Sequence, residues 1–178
     1  MRTSKRTHIL QTIVSIIEES GVGEVTYENV SARANLSKSG LVYHFSSREE
    51  MIRAVHEFMA ERWEQELIDA AGAPAEQLSI AEKLRANLAV SLKTASRAEF
   101  VMSIDSAADP ELHAIWASVI NRWSPSAAEI TENPHACLAY LVQLVSDGLW
   151  AHDHINGFRL DQAQREALAQ AATQLIPE

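Results

Sequence analysis

The sequence contains a single cysteine, Cys137. One thiol excludes a disulfide within the chain and a cysteine-based zinc site, and it fits a reducing compartment. Glycine and proline are also scarce, with six and five residues, which disfavours a fold of many short strands and favours helices. The most apolar segment, 136–145, is too short to cross a bilayer and is interrupted by Gln143. We therefore expect a helical cytoplasmic protein without a membrane span or a secretory signal.

Charge is distributed unevenly along the chain. The formal net charge is −9, yet residues 1–53 hold seven basic and six acidic residues, a net of +1, and the rest carries −10. Phosphate groups respond to local positive charge, so only the N-terminal segment suits nucleic acid. Arg2, Lys5 and Arg6 form a small basic arm there, although a solvated terminus has the same composition.

Periodic apolar residues and helix caps predict an all-α fold of about nine helices. Ile9, Ile13 and Ile16 recur at helical spacing, and Gly21 is suited to end that first helix. A long helix is expected from about residue 48 to about Gly72. Several side chains can cap further helices, and some of them are followed by proline or paired with an acidic residue. These candidate caps are Thr26, Ser37, Ser47, Ser79, Ser96, Asp109, Asn133 and Asp161. Ser124-Pro125 should end or kink one helix, and Gly157 should end another.

Three short helices in the first 46 residues, with a tight turn before the third, fit a helix-turn-helix. The pair covers roughly 27–34 and 38–44 and is joined by residues 35–37. In such units the second helix of the pair enters the major groove. Gly40 costs helix stability, which indicates a steric reason for its presence, and we attribute that reason to close approach to the duplex.

The segment 26–45 and the Ser-Arg-Glu-Glu-Met that follows at 47–51 resemble the DNA-binding domain of the TetR/AcrR family of one-component regulators. The clearest signature is Ser-Lys-x-Gly-Leu-x-Tyr-His-Phe at 37–45, and Asp-Gly-Leu-Trp at 147–150 also recurs in relatives. The resemblance implies that the residues reading bases or holding phosphates are Thr26, Lys38, Ser39, Gly40, Val42, Tyr43, His44 and Arg48. Many relatives have tyrosine in place of Val42, which is left to touch a thymine methyl group or to pack in the core.

The same resemblance implies two domains: residues 1–47 bind DNA, and residues 48–178 bind an effector and dimerise. It implies a pocket for a small, largely apolar effector, for which the candidate lining residues are Leu88, Leu92, Phe100, Met102, Trp116, Ile120, Trp123 and Tyr140. The helix near 136–149 is apolar on nearly all sides, and an alanine-rich stripe marks the last helix, so a partner chain would cover both. The candidate interface residues are Leu138, Leu141, Val142, Val145, Leu149, Leu168, Ala172 and Leu175. For the lining residues the alternative is ordinary core packing. For the interface residues it is a monomer in which the same faces pack against other helices of the chain.

The expected function is a DNA-binding repressor that acts as a homodimer on a palindromic operator and is released by the small ligand. The alternatives are a helical protein-interaction module and a cofactor-binding helical enzyme. We expect no enzymatic activity, cofactor or metal. His152, Asp153 and His154 are consecutive and point apart on a helix, and no pair of Glu-x-x-His motifs occurs in the sequence.

Overall fold

The computed structural model describes residues 4–177, and within that range it contains nine α-helices and no β-strand. The helices are α1 Lys5–Ser20, α2 Tyr27–Ala34, α3 Lys38–His44, α4 Arg48–Ala71, α5 Ile80–Ser91, α6 Arg97–Ser106, α7 Pro110–Trp123, α8 Pro134–Ile155 and α9 Gln162–Thr173. Short 3-10 turns cover Val22–Glu24 and Ala75–Gln77. The predicted all-α class is confirmed. None of the helices in the described range has both the length and the apolar character that a membrane crossing needs.

Local sequence determines where most of these helices begin. The Ser79 side chain accepts the backbone N–H of Glu82, and the Glu82 carboxylate accepts the backbone N–H of Ser79. Ser96 and Glu99 form the same pair of hydrogen bonds at the start of α6. Asp161 forms the same reciprocal arrangement at the start of α9. These capping boxes satisfy N–H groups that have no partner inside the helix. The predicted caps at these positions are confirmed.

Two predicted helix ends differ in detail. Ser47 accepts the backbone N–H of Glu50 at 3.1 Å, but the Glu50 carboxylate accepts from the backbone and hydroxyl of Ser46, at 2.6 and 2.7 Å. The box expected at Ser47 is thus half formed, because the carboxylate reaches one residue further back. Helix α8 ends at Ile155 with an extended cap residue, so Gly157 does not end it.

The described chain divides into two compact units. The first contains the residues up to Glu61 together with Ser96–Trp116, and the second contains Arg62–Ala95 and the residues from Ala117 onward. These boundaries fall inside α4 and α7. The domain boundary predicted between residues 47 and 48 divides the chain by expected function, whereas these two units are defined by packing. The predicted boundary therefore stays a prediction.

Each unit has its own apolar core. In the first, α1 packs against α2 and α6, α2 packs against α3, and Ile13, Leu41 and Phe45 have no exposed surface. In the second, α5, α8 and α9 share a core that includes Leu84 and Val142, both without exposed surface. Burial of these side chains is the main favourable term for both units.

Candidate nucleic-acid interface

Two capped helices joined by a tight turn form the helix-turn-helix. The hydroxyl of Thr26 accepts the backbone N–H of Asn29 at 3.2 Å and begins α2. Helix α2 ends at Asn35, which takes the left-handed conformation at φ 54° and ψ 49°, a region that asparagine tolerates. Ser37 then accepts the N–H of Gly40 at 3.0 Å and begins α3. The predicted helix pair and its turn are therefore present.

Helix α3 buries a single face. Leu41 is its only buried residue, whereas Lys38 and Ser39 are exposed. Val42 is 48% exposed and Tyr43 is 86% exposed. Val42 thus does not belong to the core, which was one of the two alternatives for this residue. An exposed aromatic ring and an exposed valine on one short helix are available for contact with another molecule.

Lys38 is paired with an acidic residue of the preceding helix. Its Nζ forms an ion pair with the Glu28 carboxylate, and both side chains are largely exposed, at 62% and 66%. The hydrogen bond from Lys38, the backbone and the lysine charge together lower the pKa of Glu28. In the free protein the cation of α3 is therefore partly neutralised by Glu28, a contact that sequence reasoning missed.

Gly40 occupies the third position of α3, beside the oxygen that caps the helix. A Cβ there would lie 3.1 Å from the Oγ of Ser37, which would have to shift by a few tenths of an ångström. Ser79 and Ser96 cap helices whose third residue is a glutamate, so a capping serine tolerates a side chain at this position. Close approach of a duplex as the cause of Gly40 stays a prediction.

Arg48 holds the start of α4 to the turn before α2. Its Nε donates to the Val25 carbonyl at 2.9 Å and its Nη2 donates to the Val22 carbonyl at 3.0 Å. These contacts satisfy carbonyls of the 3-10 turn, while Arg48 remains largely exposed. A phosphate contact by Arg48 stays a prediction.

Two residues outside the predicted set support the end of α3. The Tyr27 hydroxyl donates to the Phe45 carbonyl at 2.7 Å, and the Arg6 guanidinium lies 5.0 Å from the centre of the Phe45 ring. Burial, followed by the nearby carboxylates of Glu50 and Glu49, raises the pKa of Tyr27, so its hydroxyl stays a donor. No periodicity or spacing in the sequence points to these contacts.

The predicted basic arm lies partly within the fold. Lys5 and Arg6 belong to the first turn of α1, which Ser4 caps by accepting the Thr7 N–H at 3.1 Å. Arg2 lies outside the described residues. The basic side chains that the structure places are thus held on a helix and not on an extended segment.

Comparison with protein families identifies both parts of the chain. A model of bacterial regulatory proteins of the tetR family matches residues 9–55. A model of the tetracyclin repressor-like C-terminal domain matches residues 81–177, more than half of the chain. The chain belongs to the TetR family. None of the curated proteins has a sequence that matches this chain significantly.

Solved structures of TetR-family proteins have the same fold. A family member from Streptomyces coelicolor A3 has a TM-score of 0.64 at 15% identity, over 99% of this chain and all (100%) of that one. A regulator from Aquifex aeolicus VF5 has a TM-score of 0.61 at 18% identity, over 97% of this chain and 100% of the other. The multidrug binding protein EbrR, complexed with malachite green, has a TM-score of 0.64 at 18% identity, over 99% and 100% of the two chains. At such identities the similarity shows the fold.

The effector-lining residues that the TetR resemblance implies are distributed over both units. In the first unit, Met102 has no exposed surface, Phe100 is half-buried, and Trp116 donates from Nε1 to His56 Nδ1 at 2.9 Å. The other ring nitrogen of His56, Nε2, lies 3.5 Å from an Asp105 carboxylate oxygen. His56 is fully buried, and sequence reasoning missed it because no spacing links it to Trp116.

The remaining lining candidates lie in the second unit. Leu88 is buried in the core of α5, α8 and α9, and Leu92 packs against it. Trp123 is fully buried and donates from Nε1 to a Glu64 carboxylate oxygen at 3.1 Å. Ile120 is 42% exposed and Tyr140 is half-buried. The pocket itself stays a prediction.

The candidate dimer residues of the TetR-family chain separate into two groups. Val142, Leu149 and Ala172 are buried in the α5–α8–α9 core, and Val145 packs against it. These side chains stabilise the single chain. Because they have little or no exposed surface, they are not the ones that a second copy would touch first.

The second group faces outward. Leu141 is 44% exposed, Leu168 is 46% exposed and Leu175 is 41% exposed, while Leu138 is half-buried. Leu144, at 54%, has the same outward character and was absent from the predicted set. Its spacing of three residues from Leu141 on a helix was the signal available in the sequence.

The consecutive residues His152, Asp153 and His154 each contact another segment of the second unit, and His152 Nδ1 also lies 3.4 Å from Asp153 Oδ1. Asp153 accepts from the Arg165 guanidinium at 2.6 Å, and His154 Nε2 lies 2.7 Å from the Ala95 carbonyl oxygen. The ring of His152 meets that of Phe158 edge-on. These contacts connect α8 to neighbouring segments of the second unit and give the three residues structural roles.

Proposed function

We propose that this TetR-family chain is a sequence-specific DNA-binding regulator that represses transcription. The observation that carries the proposal is the outward face of α3, which presents Lys38, Ser39, Val42 and Tyr43 after a correctly capped turn. A lysine can bind phosphate or guanine, and an exposed valine can contact a thymine methyl group. His44 and the Thr26 hydroxyl complete the proposed contact surface. Regulators of this family are in general not enzymes.

The outward leucines of α8, of α9 and of the segment just after α9 support a homodimer. Leu141, Leu144, Leu168 and Leu175 leave a large apolar area in water, which a second copy of the same surface would cover. Two-fold symmetry suits a palindromic operator, whose half-sites lie about 34–36 Å apart when successive major grooves are read. We propose that residues 1–47 bind DNA and that residues 48–178 mediate dimerisation.

A small, largely apolar ligand is the proposed effector. The candidate lining residues are mostly aromatic and aliphatic, among them Phe100, Met102 and Trp116 of the first unit. The structural relative EbrR is a multidrug binding protein solved with malachite green and with ethidium, which makes aromatic compounds a reasonable first library. The ligand must bind the DNA-free form more tightly than the DNA-bound form, since equal affinity would shift nothing.

Selection from a pool of random duplexes tests the proposal. Purified protein should enrich an inverted repeat, and its affinity should fall steeply with salt because phosphate contacts release counterions. Lys38→Ala should weaken binding to the enriched duplex by roughly tenfold, the range expected for one lysine contact. Lys93→Ala is the matched control, because Lys93 is likewise exposed and paired with a glutamate, Glu66, but lies in the second unit.

Failure of the intact protein to enrich any duplex at low salt would reject the proposal. Equal affinity of the Lys38→Ala and Lys93→Ala variants for an enriched duplex would remove Lys38 from the contact surface.

A further inference from the structure

The N-terminus of α6 is capped by a residue of α1. The Glu18 carboxylate accepts the backbone N–H of Ala98 at 2.6 Å and that of Arg97 at 3.3 Å. These are the first two amides of α6, and the helix's own capping box, formed by Ser96 and Glu99, does not reach them. Ala98 has no exposed surface, so without Glu18 its N–H would lack both a protein acceptor and ready access to water.

A side chain of α6 in turn donates a hydrogen bond to the C-terminal end of α1. Arg97 Nη1 donates to the Glu18 backbone carbonyl at 3.0 Å, in the last turn of α1. That turn contains no basic residue of its own. A negative charge therefore lies at the N-terminus of α6 and a positive charge at the C-terminus of α1, which is the favourable sign at both helix ends. Each residue caps the helix of the other.

Helix packing connects Glu18 and Arg97 to α3, the helix that we propose contacts DNA. Helix α1 packs against α6 on one side and α2 on another, and α2 packs against α3. Within α1, Ile13 and Ile17 are fully buried. A rigid core transmits a displacement of α1 instead of absorbing it.

We propose that the reciprocal cap of Glu18 and Arg97 is the element that locks the helix-turn-helix to α6, so that the state of α6 and the state of α3 depend on each other. Glu18 and Arg97 are positioning residues and make no contact with DNA. The dependence on DNA rests on the proposed function, whereas the coupling of α6 to α3 does not. Coupling of this kind is reciprocal: whatever lets α6 act on α3 lets a duplex on α3 act on α6.

Hydrogen exchange of backbone amides in the full-length free protein tests the coupling without DNA. The variants are Glu18→Gln, Arg97→Gln and the double variant. Arg97→Gln should speed exchange in α3 by roughly two- to tenfold, the effect of losing one hydrogen bond of modest net value. The double variant should exchange at least as fast as either single variant, because the Glu18 carboxylate and the Arg97 guanidinium make separate hydrogen bonds between the two helices. Arg97→Lys, which keeps a charged donor, should restore much of the protection.

Arg53→Gln is the matched control for Arg97→Gln. Arg53 also joins two helices of the first unit, α4 and α7, through an exposed ion pair, with Glu111 at 2.7 Å, and that pair includes no residue of α1 or α6. If exchange speeds up only within α6 and the last turn of α1, or if Arg53→Gln changes α3 equally, the pair is merely structural and the proposal fails. Circular dichroism establishes that each variant retains its helices.

A duplex enriched by the wild-type protein supplies the second arm. Its binding should slow exchange of the Arg97 and Ala98 amides severalfold in the wild type and leave them unchanged in Glu18→Gln. Slowing in both proteins would contradict the proposal. If no duplex is enriched, the proposed function fails, and the exchange of the free protein still decides the coupling.

Discussion

Replacing Glu28 with glutamine should tighten the binding of the chain to its duplex. Glu28 holds the Nζ of Lys38 in an ion pair in the free protein, so the lysine must leave this carboxylate before it can bind a phosphate or a base. Glutamine keeps the size of the side chain and its place on α2. It removes the charge that competes with DNA for Lys38.

The expected gain is small because the pair is exposed. With side-chain exposures of 62% and 66%, solvent screens most of the attraction, and exposed ion pairs have little net value. We expect an affinity increase of about two- to fivefold at low salt. The increase should shrink at higher salt, where screening acts within about 8–10 Å and the phosphate contacts themselves weaken.

Fluorescence anisotropy with the enriched duplex at several salt concentrations measures the effect. Glu19→Gln is the matched control: it makes the same charge change at an exposed ion pair, with Arg33, that includes no residue of the proposed contact set. The variant Lys38→Ala provides the second comparison. In that background Glu28→Gln should have a much smaller effect, since the competition for Lys38 no longer exists.

Three results would refute the reasoning. If Glu28→Gln binds no more tightly than the wild type, Glu28 does not compete with DNA. If Glu19→Gln gives the same gain, only the total charge matters. If the gain persists in the Lys38→Ala background, Glu28 acts on the duplex directly and not through the lysine.

Three further predictions concern stability and assembly. Burial lowers the pKa of His56 despite the opposing hydrogen bond and charge of Asp105, so on acidification the unfolded chain takes up a proton before the folded chain does. The urea concentration at the unfolding midpoint should therefore fall as the pH drops below about 6.5. His56→Gln should make the midpoint less dependent on pH in this range. An unchanged slope in the variant would assign the pH dependence elsewhere. Leu84→Ala should cost about 2–5 kcal/mol in urea unfolding at fixed protein concentration, while the exposed Ile80→Ala should change stability by under about 1 kcal/mol. Leu144→Glu should convert the proposed dimer to monomer in sedimentation, whereas glutamate at another exposed position, Ile104, should not; a dimer that survives Leu144→Glu would place the interface on a different surface.

Helix boundaries could be predicted from the sequence because the partners of a cap lie within a few residues. Thr26 reaches Asn29, Ser37 reaches Gly40, and in each case helical geometry alone brings the hydroxyl to the N–H. The order of the caps and the apolar spacing therefore predicted the helix-turn-helix. The half-formed box at Ser47 shows the limit, since Ser46 offers the same carboxylate an equally close donor.

The charged contacts around the proposed DNA surface depend on tertiary packing. Arg48 finds carbonyls more than twenty residues earlier in the chain, and Glu18 meets amides about eighty residues later. No periodicity specifies such partners, because they meet only after separate helices have packed. For the same reason the apolar pattern of α8 identified a helix to be covered, and only the packed chain showed that Val142 faces inward and Leu144 outward.

The amino-acid sequence by itself thus determined the all-α class, the starts of most helices and the position of α3, since these depend on interactions between near neighbours along the chain. The tertiary structure decided which side chains of those helices remain available to DNA or to a second copy, and which ones, like Glu18 and Arg97, hold two helices together. That choice depends on burial and on contacts between distant segments, which come into existence only when the core forms.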